Sequence, residues 1–152
     1  MGPASPRALV VVDVFGPSVA RMLAAQGFAV DLQDPRSFRS LDERAQEASL
    51  LVTDLHAPEA NAGVELVGRL REVNPELPVI FLADHLNSQD VALLDREMAG
   101  CPTIQSPPNS RLLAMAVAAA RSPTPSAKPA PQRRAAVGSL RRWSFGHQEP
   151  RA

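Results

Sequence analysis

Residues 49–84 read SLLVTDLHAPEANAGVELVGRLREVNPELPVIFLAD. Two apolar runs, 50–53 and 78–83, bracket a helical pattern at 63–73, whose stripe is Val64, Val67, Leu70 and Val73. Runs apolar at every position are buried on both faces, as strands of a parallel sheet are. The same alternation continues outward in both directions. Upstream, 9–12 is a Val-rich strand, 17–26 a helix with Val19, Met22 and Leu23 on one face, and Gly27 its stop. A weaker strand follows at 28–32 and a short polar helix at 41–48. Downstream, Asn87 or Ser88 caps a helix that turns Val91, Leu94 and Met98 inward and ends at Gly100. Residues 102–105 form a short strand, and Asn109 opens a last helix running to about residue 121.

Five strands and five helices in strict alternation predict an α/β fold, with helices on both faces of a parallel sheet. The length suits the flavodoxin-like doubly wound order 2-1-3-4-5. Composition agrees with this and excludes several alternatives. The chain has 152 residues, 45% of them hydrophobic but only 4% aromatic, with no Tyr, so the core must be aliphatic. Its single cysteine, Cys101, excludes an intrachain disulfide and a multi-cysteine zinc site. Sixteen basic residues balance sixteen acidic ones, which argues against nucleic-acid binding through bulk charge. No apolar run approaches the length of a membrane span, and the start, MGPASPR, lacks the hydrophobic stretch of a secretory signal. The expectation is a cytoplasmic protein without a membrane partner.

The charge is unevenly placed. Residues 1–121 hold 10 Arg and 15 acids but no lysine, whereas 122–152 hold six basic residues, five prolines and one acid, Glu149. The second stretch has too little apolar surface to offset its ordering entropy. The predicted organisation is an extension at 1–7, a domain at 8–121 and a disordered, Pro-rich basic tail at 122–152.

Two acids stand where such a sheet binds ligands, beyond the carboxyl ends of its central strands. Asp13 follows the first strand and Asp54 the third. An isolated Asp at a strand end commonly caps the following loop. Two on adjacent strands at the switch point repel each other unless a cation lies between them. Oxygen ligands with open positions suit Mg²⁺, and a carboxylate beside it can accept a phosphoryl group.

This pattern resembles the receiver domain of the response regulators of two-component signalling. The resemblance rests on the strand ending at Asp54, the loop with Pro58, Gly63 and its helix, then Pro78 and an apolar strand. ALVVVD at 8–13 is similar to the family's first strand with its acidic pocket, and CPTIQSPP at 101–108 to its fifth. The resemblance implies that Asp54 is the phosphoacceptor, and that Asp13 belongs to the acidic pair holding Mg²⁺. It makes the backbone carbonyl of His56 the third protein ligand of that ion.

The departures matter as much. Val14 follows Asp13 where the family has a second acid, Ala83 replaces Thr or Ser, Thr103 replaces an aromatic switch residue, and Ser106 replaces the Lys before Pro107. The chain's one lysine is Lys128, so no realignment restores that contact. In the family, the Lys and the Thr or Ser contact the phosphate and favour the active conformation. Reversing a 1:99 equilibrium takes about 5.5 kcal/mol, and losing one partner of a buried charge pair removes roughly 2–5 kcal/mol. The resemblance therefore implies a degenerate receiver, a pseudo-receiver with a weakened or absent Mg²⁺ site. It would be a non-enzymatic signalling protein that accepts phosphate weakly from a histidine kinase or phosphotransfer protein and acts by protein–protein contact. A phosphate sink and a phosphorylation-independent binding module are the alternatives.

Other features are weaker. His56, His85 and His147 have no metal-ligand spacing and read as surface histidines; Cys101 reads as a small buried hydrophobe. The tail segment SLRRWSFGHQ at 139–148 is either a docking peptide or solvated chain. Residues 112–120, LLAMAVAAA, are apolar without a break. In receivers the last helix belongs to the dimerisation and output surface, so the run implies a homodimer or a partner there; alternatively, alanine simply fills an exposed helix face.

Overall fold

A computed structural model describes residues 5–36, 40–57, 59–122 and 144–145. Six parallel strands, β1 (Arg7–Val11), β2 (Ala29–Leu32), β3 (Leu50–Asp54), β4 (Val79–Ala83), β5 (Thr103–Gln105) and β6 (Ser144–Phe145), form one sheet in the order β2-β1-β3-β4-β5-β6. Between them run α1 (Gly16–Ala25), α2 (Leu41–Glu47), α3 (Ala62–Leu70), α4 (Ser88–Glu97) and α5 (Ser110–Arg121). The first five strands have the expected flavodoxin-like order, each within a residue or two of its predicted bounds. β1 begins at Arg7, one residue before the predicted domain start.

Side chains alternate across the pleat, and each face of the sheet has its own core. Leu9, Val11, Leu51, Val79 and Phe81 pack against Leu41 and Ala45 of α2, Val67 and Leu70 of α3, and Leu94 of α4. Ala8, Val10, Val52, Ile80, Leu82 and Ile104 pack against Val19 and Leu23 of α1 and Leu113, Ala116 and Val117 of α5. Gly27 and Gly100, predicted as helix stops, have φ of +99° and +90°, a region open to glycine at little cost. Asn87 caps α4 through a reciprocal box with Asp90, and the Asn109 side chain accepts from the Leu112 N–H at 2.8 Å to start α5. Cys101 is buried as expected, and burial pushes its thiol pKa up against the opposing effect of Arg71.

The continuous apolar run of the last helix is resolved by its two sides. Leu113, Ala116 and Val117 are buried, while Ala114, Met115 and Ala118 are exposed. Arg121 closes the helix with its guanidinium over the Phe28 ring, 5.3 Å from the centroid.

Most of the predicted tail lies outside the described residues. Ser144–Phe145 is described: it adds a sixth strand, with Ser144 opposite Thr103 and Phe145 opposite Ile104. Among the described residues, no helix is long and apolar enough to cross a membrane.

Candidate functional site

β1 and β3 are hydrogen-bonded neighbours with Val11 opposite Thr53, so Asp13 and Asp54 leave the sheet side by side at its carboxyl edge. The Asp13 backbone N–H donates to Asp54 Oδ2 at 2.8 Å. Thr53 supports the strand end from the opposite face, donating through Oγ1 to the Val11 carbonyl at 3.1 Å. The two acids open into a cleft of about 730 Å³, lined also by His56, Ala83, Asp84 and Ser106.

The two carboxylates are in different electrostatic states. Asp54 is half-buried, and desolvation raises its pKa above the ordinary 3.8. The negative charges of Asp13 and Asp84 push the same way, against the lowering effect of the Asp13 N–H. Asp13 has its pKa lowered, first by its hydrogen bonds with Arg36. Arg36 Nη1 donates to Oδ1 at 3.0 Å and Nη2 to Oδ2 at 2.7 Å, a two-pronged guanidinium–carboxylate pair. The Arg36 backbone N–H donates to Asp34 Oδ1 at 2.8 Å, which sets the turn after β2 from which the side chain reaches Asp13. Among the cleft's lining residues, Arg36 supplies the permanent positive charge, and Asp13, Asp54, Asp84 and Asp90 are the acids.

His56 lies at the surface, as expected from the sequence, and both its ring nitrogens are hydrogen-bonded. Nδ1 accepts from the Asn61 backbone N–H at 2.8 Å, so the neutral ring carries its proton on Nε2 and donates to Asp90 Oδ1 at 3.0 Å. Asp90 is buried within the α4 capping box, so His56 ties the β3–α3 loop to the start of α4. Its backbone carbonyl, the expected third oxygen, lies two residues past Asp54.

Of the three positions read as degenerate, Ala83 ends β4, Thr103 begins β5 and Ser106 follows it. The Ala83 carbonyl accepts from the Ser106 N–H at 2.8 Å. Ser106 lines the cleft. Thr103 is fully buried, and its Oγ1 has no hydrogen-bond partner among the described residues. Gly63 sits tightly against the acceptor strand: its N–H donates to the Leu55 carbonyl at 2.9 Å, and a Cβ there would overlap the Asp54 carbonyl oxygen.

The residues present do not fit Mg²⁺ as they stand. Both Asp13 oxygens are engaged by Arg36, Val14 supplies no second acid, and among the described residues no three acidic, His or Cys groups gather as a metal site. Sequence reasoning missed Arg36 and Asp90. The signal for Arg36 was its position just past β2, the strand beside β1 in the expected order.

No family model matches the chain, and no curated protein matches it. Solved structures do. A response regulator receiver domain protein from Clostridium thermocellum superposes with a TM-score of 0.63 at 20% identity, covering 76% of this chain and 94% of that one. FixJ-N superposes at 0.61 with 26% identity, covering 80% and 95%. A Burkholderia pseudomallei response regulator bearing a phosphorylated aspartic acid, a calcium ion and citrate superposes at 0.59 with 20% identity, covering 77% and 67%. With its first five strands in the order β2-β1-β3-β4-β5 and these structural neighbours, the chain has the fold of the response-regulator receiver domains.

Proposed function

We propose that this chain is a cytoplasmic, degenerate receiver of a two-component phosphorelay, accepting phosphate weakly at Asp54 and acting by protein–protein contact. One observation carries the reading. On a receiver fold, Asp54 ends the central strand with Oδ2 fixed by the Asp13 N–H and Oδ1 without a hydrogen-bond partner among the described residues. In the transfer, Asp54 Oδ1 attacks the phosphorus of a phosphohistidine; the P–N bond breaks, the imidazole leaves, and an aspartyl phosphate remains. Burial, with the negative charges of Asp13 and Asp84, raises the pKa of this nucleophile.

Coupling of that event to shape is poor for a definite reason. Ala83 has no hydroxyl to offer, Ser106 has no ammonium, and Thr103 is a small buried side chain in place of a ring that could swing. The contact surface in this reading is α5, which exposes Met115 between Ala114 and Ala118. A histidine kinase or phosphotransfer protein supplies the phosphate, and a second copy or an output partner meets α5.

Intact-mass spectrometry after incubation with acetyl phosphate tests the acceptor, with and without Mg²⁺. The expected result is a low-occupancy phosphoryl adduct that Asp54→Asn abolishes. A wild-type chain that never gains the adduct, even from its own kinase, would overturn the acceptor role and leave a phosphorylation-independent binding module.

A further inference from the structure

We propose that Arg36 is the resident cation of this strand-end site, its guanidinium taking up both Asp13 oxygens that a divalent metal would need. The proposal rests on the receiver reading only for the expectation of a metal. A strand-end carboxylate at such a site needs a positive partner, and here the chain provides one itself. Arg36 uses both terminal nitrogens on both Asp13 oxygens, and its own N–H is held by Asp34 Oδ1, so the reach from β2 to β1 is set by the local turn. The second acid that would draw a doubly charged ion is replaced by Val14, which is 77% exposed. Asp54 is satisfied differently, by the Asp13 main-chain N–H. One positive charge on one carboxylate, with a neutral donor on the other, is a set of contacts that leaves a divalent ion no free Asp13 oxygen.

The arrangement has consequences separate from phosphorylation. Divalent cations should neither bind tightly nor stabilise the wild-type chain. Replacing Arg36 should free Asp13 and recreate a two-carboxylate cation site with Asp54. An exposed ion pair competes only modestly, and removing the guanidinium also removes a charge that repels the metal.

Mn²⁺ is the probe, its free concentration read by electron paramagnetic resonance with the full chain, Arg36→Gln, and Arg36→Gln combined with Asp13→Asn. Arg36→Gln should bind Mn²⁺ roughly tenfold more tightly than wild type, and the double variant should lose that gain. In parallel, Mg²⁺ should raise the melting temperature of Arg36→Gln but not of wild type. Equal Mn²⁺ affinity in wild type and Arg36→Gln would overturn the proposal, whether both bind or neither does. So would a wild-type chain that Mg²⁺ stabilises as much as the variant. Neither measurement reads phosphorylation, so an unphosphorylated Asp54 leaves this result intact, and a failure here leaves the acceptor role to its own test.

Discussion

Asp54 carries a conflict between function and stability. Its raised pKa means the folded state holds the proton more tightly than the unfolded chain does. The stabilising contribution is therefore complete below the ordinary value of 3.8 and is lost as pH rises through the raised folded value. Above that, the ionised, half-buried carboxylate opposes folding. Asp13 has the opposite sign: its lowered pKa contributes stability above 3.8 that is lost as pH falls through the depressed value. Asp54→Asn should thus raise the melting temperature at pH 7 by a few degrees, on the order of 1 kcal/mol after allowing for solvent screening. The gain should shrink as pH falls toward 4. Calorimetry of both proteins across that range checks it; an Asp54→Asn chain that melts below wild type at pH 7 would mean that a cation, not Asp13 N–H alone, balances the charge.

The elements hold this site through close backbone approach as much as through side chains. α3 begins against the end of β3 because Gly63 lets the helix lie on the Asp54 and Leu55 backbone. Gly63→Ala should cost about 1–3 kcal/mol, since a methyl there must push α3 off the acceptor strand. Urea unfolding reads the loss; a cost near zero would show that α3 can slide without harm. The elements themselves were legible from the sequence, because strands buried on both faces are apolar throughout, and Gly27, Asn87, Gly100 and Asn109 mark where helices stop and start. Once the strand order is known, the nearness of Asp13 and Asp54 follows. Arg36, the His56–Asp90 bond and β6 were not legible. Periodicity reports which positions are buried, not which long polar side chains meet across loops, and a two-residue strand has no period to detect.

At the scale of the whole molecule, the acidic body and basic tail meet through β6. Twenty-two residues separate Arg121 from Ser144. Closing a loop of that length costs about 3 kcal/mol from its length dependence alone. Ladder bonds contribute about 1 kcal/mol each, so a strand of two residues recovers on the order of 2 kcal/mol. Opposite charges on body and tail add attraction that salt screens beyond about 10 Å. The balance is close to zero, which makes β6 an edge strand that detaches before the sheet melts. Trp143, the chain's only tryptophan, immediately precedes β6 and can report this step. Its fluorescence anisotropy should fall at a urea concentration well below the global transition seen by circular dichroism, and added salt should move that first step lower still. A single transition, coincident by both probes and indifferent to salt, would make β6 an integral strand, with side-chain burial around it outweighing the cost of closing the loop.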